Sequence, residues 1–359
     1  MTSAIGFICY DRARIILSRF IMIGTMNSPT SITLDKTALG SGSEFRVNTT
    51  VTGHQNILGT IKLDDGGFLV LGSPSDGTGQ YWGQRYDADG LAQESQFNWT
   101  YPSNVSSVKV SGQGDDGFVL VWQRDRGDGS YDVFAQRYAS DAVASGAEFQ
   151  ISASDTAASY KYPKVIDFAD GSFVVSWVVY NADGSSDIAG QRFDASGSAE
   201  GSIFQVNGDD GSNHSKLIVM GSESGEFTVV WTVTDGLGVV TGLSGQHFDV
   251  SGNKSGAVFS VTDTENLGHP HASTLSDGNT VVVWLELAGT ESSVDKSFYG
   301  RIFDQTGTPI DSAFEIDTDT GFNNHSAYGY AVEALSGGGF AVTWQPQGQD
   351  GSGEGVYGR

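Results

Sequence analysis

One motif returns along this chain at almost constant intervals. It reads GQRYD at residues 83–87 and recurs, with small changes, as AQRYA, GQRFD, GQHFD and GRIFD. A phenylalanine stands ten residues after the last position of each copy, and residues 31–35 (SITLD) keep the same distance from a sixth phenylalanine. These phenylalanines are Phe45, Phe97, Phe149, Phe204, Phe259 and Phe314, separated by 52 or 55 residues. Self-similarity at such a period indicates a repeat architecture.

Each repeat contains four apolar runs of about five residues, the first of which carries the phenylalanine and should be the first strand of a sheet. The runs are bounded by Gly, Asp or Asn, which is typical of β-strands and turns. The third run, FVLVW at residues 118–122, is apolar at every position, so both faces of its strand are apolar. Such a strand needs cover on both sides, as in a sheet packed between two others. The repeats therefore predict an all-β fold, a β-propeller of four-stranded antiparallel blades. Six blades are predicted, with seven blades or a truncated ring as the alternative.

The repeats also predict the domain organisation. Residues 31–359 should form a single β-propeller of six repeats, in which residues 31–35 supply a strand that completes the last blade. Residues 1–30 are interpreted as a leader or a misassigned start with little structure. The only cysteine, Cys9, lies in this segment, so the chain has no disulfide framework.

The charge of the chain limits the partners it can have. It carries 43 acidic residues against 19 Lys and Arg, a formal net charge of −24. Nucleic acids and anionic membrane surfaces would be repelled by this charge, so neither is predicted as a partner. The apolar run near the N-terminus is interrupted by Arg19 and is too short to cross a bilayer, so no membrane insertion is predicted.

Two acidic turns between apolar runs are candidate calcium sites. They place oxygen-bearing side chains at short spacings around glycine, which is the pattern that a calcium ion with six to eight oxygen ligands requires. The candidate ligands are Asp125, Asp128 and Asp132 in the first turn and Asn181, Asp183 and Asp187 in the second. The alternative is plain turn chemistry, because Asp-Gly is a common β-turn dipeptide without any metal.

Three other recurring residue types have a structural and a functional interpretation. The tryptophans that end the third run are interpreted as packing between blades rather than as a sugar-stacking ring. The histidines near the first strands of the repeats are interpreted as surface residues rather than metal ligands. The arginine of the repeated motif is expected to pair with a nearby carboxylate, such as the aspartate of the following turn.

Two segments carry a resemblance to a known group of proteins. The stretch DDGGFLVLG…GQYWGQRYDADG…SQFNWT and its later copy SGGGFAVTWQPQGQDGSGEGVYGR resemble tandem repeats of large bacterial surface and secreted proteins, of the RTX-type or cadherin-like adhesins. The resemblance covers about residues 31–359. It implies propeller blades, an extracellular or cell-surface location and a role in binding, and it carries no catalytic residue to this chain. The calcium-binding nonapeptides found in many such proteins do not occur in this sequence.

The sequence contains no nucleophile elbow, phosphate-binding loop or zinc-protease motif. The expected function is therefore a non-catalytic adhesion or scaffold module of a bacterial surface or secreted protein, stabilised by calcium, with a glycan or a protein surface as its ligand. The alternative is a propeller hydrolase or lyase that cleaves glycans with carboxylates at its rim.

Overall fold

The structure is a computed structural model. It describes residues 5–11, 14–20, 47, 55–63, 65–74, 79–100, 104–112, 117–153, 158–208, 210–222, 224–288, 295–317, 325–335, 338–346 and 357–359. Every regular element within these ranges is a β-strand. A separate hairpin near the N-terminus pairs β1 (Ile5–Asp11) with β2 (Arg14–Phe20).

The remaining strands form six antiparallel sheets, which are numbered here as blades 1 to 6 in chain order. Blade 1 contains β3 (Gln55–Lys62), β4 (Phe68–Pro74), β5 (Gln80–Tyr86) and β6 (Ala92–Thr100). Blade 2 contains β7 (Val105–Gly112), β8 (Phe118–Asp125), β9 (Tyr131–Tyr138) and β10 (Phe149–Gln150). Blade 3 contains β11 (Ser159–Asp167), β12 (Phe173–Tyr180), β13 (Ser186–Phe193) and β14 (Ala199–Gln205).

The second half of the ring repeats this order. Blade 4 contains β15 (Asn213–Gly221), β16 (Phe227–Thr234), β17 (Val240–Phe248) and β18 (Lys254–Thr262). Blade 5 contains β19 (His271–Thr274), β20 (Thr280–Ala288), β21 (Asp295–Phe303) and β22 (Phe314–Glu315). The described part of blade 6 contains β23 (His325–Ala334), β24 (Phe340–Pro346) and β25 (Tyr357–Gly358).

The blades are arranged as a six-bladed β-propeller, which confirms the predicted fold. In each blade the strands are in chain order, and the first strands of successive blades lie beside one another: β3 by β7, β7 by β11, β11 by β15, β15 by β19 and β19 by β23. These first strands are the inner strands, and they surround the axial channel. The strand expected from residues 31–35 in the last blade lies outside the described residues.

The second strand of each blade shows why the sheets form a ring. In β8, Trp122 packs in one apolar cluster with Leu71 of blade 1, while Val119 packs in another with Trp177 of blade 3. Trp122, Val119 and Trp177 are fully buried. Each sheet has two apolar faces, and both are buried only when another sheet packs on each side. A ring of sheets meets this requirement for every blade.

Each sheet begins one strand later than the sequence repeat, whose first run carries the phenylalanine. The phenylalanine-bearing run is the outermost strand of the preceding blade, where it pairs with the strand that carries the GQRF motif. Phe204 of β14 lies opposite Gly190 of β13, and Phe259 lies opposite Gly245. A Cβ on Gly190 would lie 2.7 Å from the Phe204 ring, so glycine makes room for the aromatic side chain. The ten-residue spacing is thus the length of a hairpin that brings the phenylalanine onto this glycine.

The other positions of the motif are structural as well. Gln191 donates from Nε2 to the carbonyl of Glu200, at a point where the pairing of the outer strand shifts register. Phe193 stacks on Phe173 of the neighbouring strand with ring centroids 4.9 Å apart. Asp194 accepts the backbone N–H groups of the following turn. The repeated motif therefore accounts for the outer half of each blade.

Strand direction assigns every loop to one of two rims. The connections between blades and the turns between second and third strands lie on the same rim, called the crossover rim below, because the strands alternate in direction. Hydrogen bonds join the two kinds of loop: the Asp125 N–H donates to the Asn104 carbonyl, and the Ser186 N–H donates to Asn213 Oδ1. No helix in the described part of the chain has the length and apolar character needed to span a membrane.

Candidate functional site

The first candidate calcium turn uses its carboxylates within the protein. Asp125 accepts the N–H of Gly127 at 2.7 Å, and Asp128 accepts the N–H of Ser130. Asp132 forms an ion pair with the guanidinium of Arg126. A guanidinium that already occupies one of the three carboxylates competes with a metal ion at this turn.

The second candidate turn has a similar arrangement. Asp183 accepts the N–H and the hydroxyl of Ser185 at 2.9 and 2.7 Å. Asn181 donates to Asp187 at 2.8 Å, and Asn207 donates to the same carboxylate at 3.0 Å. Within the described ranges no group of three or more His, Cys, Asp or Glu side chains is placed to hold a metal ion. Calcium binding at either turn stays a prediction.

The tryptophans lie between blades, as interpreted from the sequence. Their exposed fractions are 0–7 % for Trp122, Trp177, Trp231, Trp284 and Trp344. Blade 1 has Gly72 at this position, and the ring of Trp82 from the next strand fills the space, since a Cβ on Gly72 would lie 2.3 Å from it. These indoles are therefore inaccessible to a sugar.

Two of the motif arginines pair with a nearby carboxylate, as expected, although not with the aspartate given as the example. Arg85 pairs with Asp65 at 2.9 Å, and Arg192 pairs with Glu200 at 2.9 Å. Neither partner is the aspartate of the following turn, because that aspartate accepts the N–H groups of its own turn. Arg85 thus joins β5 to the turn between β3 and β4, and Arg192 joins β13 to the outermost strand β14.

The histidines differ from the surface interpretation. His214 is 1 % exposed and packs edge-on against Trp231 with ring centroids 6.1 Å apart. His269 and His271 lie at the start of the inner strand of blade 5, half-buried. His54 and the side chain of His325 lie outside the described residues. Two of the histidines are thus brought to the channel.

The register of the inner strands places three basic side chains at the same height in the channel. Lys109 pairs with Val121, Lys164 with Ser176 and His271 with Val283. Each partner directly precedes the buried tryptophan of its blade, so the three residues occupy equivalent positions in blades 2, 3 and 5. The equivalent residues of blades 1, 4 and 6 are Gly59, Ile218 and Ala331.

The charges of these side chains affect one another's pKa values. Burial and the charge of Lys109 lower the pKa of Lys164 to about 8. Burial, with His269 and Lys164 nearby, lowers the pKa of His271 to about 4. Burial, Lys216 and Lys164 lower the pKa of His269. These five residues are called the basic segment of the channel.

Two carboxylates lie further along the channel, near the ends of the inner strands. Asp167 ends β11 of blade 3, and Glu333 lies near the end of β23 of blade 6. Blades 3 and 6 are opposite each other in a six-bladed ring. Both residues are exposed to solvent, yet the surrounding protein partly desolvates their side chains and raises the pKa of each carboxyl group. Asp167 also accepts the hydroxyl of Ser111 from the neighbouring inner strand at 2.5 Å.

Aromatic side chains line the channel and the crossover rim beside the basic segment. The ring of Tyr162 is 49 % exposed and meets that of Tyr180 edge-on at 6.5 Å. The ammonium group of Lys161 lies 4.7 Å from the ring of Tyr131. In blade 6, Tyr330 packs against His271 with ring centroids 4.8 Å apart. Tyr330 is itself buried between blades 5 and 6, so the exposed aromatic face at this rim is that of Tyr162, with the ammonium group of Lys161 nearby.

Sequence reasoning missed the basic segment and both channel carboxylates. Their inner strands are the least regular run of each repeat, and a β-bulge shifts the register in blades 1 to 4. A usable signal was present: Lys109, Lys164 and Lys216 recur in the second run of three successive repeats.

Comparison with known proteins identifies the fold but no family. No family model matches the chain, and no curated protein matches it in sequence. Among solved structures, an alpha-L-arabinanase of Penicillium chrysogenum complexed with arabinobiose is 14 % identical, with a TM-score of 0.50 and coverage of 85 % of this chain and 93 % of that chain. The alpha-L-arabinofuranosidase Arb93A of Fusarium graminearum is 11 % identical, with the same TM-score and coverages. A Dyadobacter fermentans protein of unknown function is 11 % identical with a TM-score of 0.51 and coverages of 85 % and 92 %.

These comparisons correct the expected function. The expectation of a non-catalytic adhesion or scaffold module is wrong, because the similar solved propellers include an arabinanase and an arabinofuranosidase, and these favour the glycan-hydrolase alternative. At this level of identity the likeness itself extends to the fold alone.

Proposed function

We propose that the protein is a propeller glycoside hydrolase whose reaction takes place in the axial channel. The observation that carries the proposal is the pair Asp167 and Glu333, two carboxylates on opposite inner strands whose pKa values are raised by desolvation. Glycoside hydrolysis generally uses two carboxyl groups on either side of the bond that is cleaved. The arabinanase and arabinofuranosidase with this fold support the same reaction class.

The surroundings of the two carboxylates assign them different roles. Desolvation raises the pKa of Glu333, and no hydrogen bond from the described residues opposes this, so of the two carboxyl groups it is the better candidate for the general acid. Hydrogen bonds from Ser111 and from the backbone stabilise the ionised form of Asp167. Glu333 would give its proton to the glycosidic oxygen as the bond to the anomeric carbon breaks. Asp167 would attack that carbon, or take a proton from the attacking water.

Activity on two kinds of substrate tests these roles. Glu333→Gln should lower cleavage of natural glycans by about 10²–10⁴-fold, yet retain cleavage of a dinitrophenyl glycoside, whose leaving group needs no proton. Asp167→Asn should lose both activities. Glu315→Gln changes an exposed carboxylate of the outer strand β22 and is the matched control. The proposal fails if both channel variants cleave arabinan and other glycans as well as the control does.

A second reaction is favoured by one observation, the pKa of about 8 at Lys164. An amine with this pKa can act as a general base near neutral pH. In a uronate-containing glycan it would remove the proton beside the carboxylate. A C=C bond would then form as the glycosidic C–O bond on the next carbon breaks, and the leaving oxygen would take up a proton. The unsaturated product absorbs ultraviolet light, whereas hydrolysis products do not, so one spectrum distinguishes the two reactions.

Three sequence-based expectations stay predictions beside this proposal. They are the extracellular location, the relation to repeats of bacterial surface proteins, and calcium binding at the two acidic turns. A glycan ligand is consistent with the arabinobiose complex of the similar arabinanase.

A further inference from the structure

The basic segment of the channel stands out against the charge of the whole chain. The protein has 43 acidic and 19 basic residues, yet three lysines and two histidines lie together on the inner strands of blades 2 to 5 or just before them. Random placement in so acidic a protein would surround each lysine with carboxylates. Within the described residues, no carboxylate forms an ion pair with Lys109, Lys164 or His271.

This arrangement opposes the stability of the fold. Lys109 and Lys164 are half-buried, and like charge from Lys109 acts on Lys164. Partly desolvated cations without a counter-ion disfavour the folded state. The equivalent positions in blades 1, 4 and 6 carry Gly59, Ile218 and Ala331, so the fold itself does not require a cation at this height.

We propose that the basic segment binds the carboxylate groups of an acidic glycan, which makes uronate-bearing oligosaccharides the substrate class of this protein. The inference rests on the proposed glycosidase function and specifies its substrate. Lys109 and Lys164 reach one level of the channel from adjacent blades, and His271 reaches the same level from blade 5. Together they present ammonium and imidazole N–H groups to an anion placed between them, and charge-assisted hydrogen bonds of this kind are strong.

The neighbouring aromatic rings favour a sugar over a simple anion. Tyr162 lies two residues before Lys164 and exposes half of its surface. Tyrosine offers a flat apolar face with a polar end, which suits the mixed apolar and hydroxylated faces of a sugar ring. Asp167, one of the two carboxylates proposed for catalysis, lies three residues after Lys164 on β11, about 10 Å away at the rise per residue of a strand. One oligosaccharide can therefore contact both regions.

Binding to a matched set of ligands tests the inference. The ligands are oligouronates of about six sugars derived from polygalacturonate, alginate and glucuronan, each beside its methyl ester, which keeps the backbone and removes the charge. Isothermal titration should show that at least one acid binds ~10-fold or more tightly than its ester, since hydrogen bonds to charged groups are stronger than those between neutral groups. Equal affinity of every acid and its ester overturns the inference, and so does acetate binding as tight as that of the oligomers.

Variants locate the binding in the channel. The double variant Lys109→Gln with Lys164→Gln should bind the acid ~10-fold or more weakly than the natural protein does. Lys164→Arg should retain most of the affinity. Lys254→Gln, on the outer strand β18, is the matched control and should bind like the natural protein. A thermal unfolding curve of each variant shows whether it is folded. Unchanged affinity in the folded double glutamine variant overturns the inference.

Binding and cleavage fail separately. Acid oligomers that bind but are not cleaved would contradict the hydrolase proposal and support the basic segment. Neutral glycans that are cleaved, with no preference for any acid, would support the hydrolase and overturn the acidic substrate class.

Discussion

In four of the five copies of the repeated motif, a glycine is fixed by the phenylalanine that faces it, and the copy in blade 2 has Ala135 instead. A Cβ on Gly245 would lie 2.4 Å from the ring of Phe259, which is itself 8 % exposed and has little room to move. Gly245→Ala should therefore lower the free energy of unfolding by about 1–3 kcal/mol, as expected for overpacking. Gly236→Ala is the control, because nothing lies within 4 Å of its added Cβ. Urea unfolding measures both, and equal stabilities would contradict this account of the motif.

Removing the charge of Lys164 should raise the stability of the protein, whereas adding a methyl group at Gly245 should lower it. Its pKa falls from 10.5 to about 8, so the unfolded chain binds more protons between these pH values and the natural protein gains stability as pH rises through them. At neutral pH the charged amine opposes folding by up to ~3 kcal/mol, less where channel water screens it. Lys164→Met should thus raise the unfolding midpoint at pH 7, and the gain should shrink toward pH 10.5. Lys161→Met, at a lysine packed on tyrosine rings, should show no such gain.

At the scale of strands and turns, the sequence predicted the apolar framework well and the channel poorly. Two-sided apolar strands such as residues 118–122 predicted stacked sheets, because burial on both faces leaves few other folds. The strand that pairs with each GQRF run was assigned to the wrong sheet, since the pairing depends on the contact between Gly190 and Phe204, which a linear pattern does not show. The inner strands carry the functional side chains, and a bulge there breaks the period-2 pattern that sequence reasoning uses.

The two acidic turns provide a test at the same scale. A calcium ion that binds the folded state raises the unfolding midpoint by mass action. We expect the effect of millimolar calcium to arise from the turn with Asp183 and Asp187, because in the other turn Asp132 is already paired with Arg126. Asp183→Asn with Asp187→Asn should abolish the shift, and Asp235→Asn, in the equivalent turn of blade 4, should preserve it. An unchanged midpoint after EGTA treatment of the natural protein removes the calcium prediction.

For the whole molecule, the ring separates stability from function. The outer halves of blades 1, 3 and 4 repeat the same contacts between glycine, glutamine and aromatic residues. The inner strands differ from blade to blade, and only their non-equivalent residues give the channel a basic and an acidic region. Functional sites grafted on a repeated framework are a general property of such folds. Substitutions in the outer strands should therefore change stability alone, whereas those at Lys109, Lys164, Asp167 or Glu333 should also change ligand binding or reaction.

The charge state of the whole protein predicts acid sensitivity. Burial lowers the pKa of His214, His247, His269 and His271, the last to about 4. Below pH 6.5 the unfolded chain therefore binds more protons than the folded one, and stability falls between about pH 6.5 and 4. Hydrogen-bonded aspartates of the turns, such as Asp194 and Asp304, have lowered pKa values and act in the same direction at lower pH.

Among the described channel residues whose pKa is shifted, only two oppose this loss of stability at low pH. Asp167 and Glu333 have raised pKa values, so they favour the folded state as the pH falls. Urea unfolding at pH 7.5, 5.5 and 4.5 should show a steady loss of stability, and His271→Gln should reduce the loss between pH 6.5 and 4. A bound oligouronate should reduce it too, since an anion beside His271 raises the pKa of the imidazole and makes its protonation favourable in the folded state. A pH profile that the variant and the ligand both leave unchanged would show that His271 does not face the bound anion.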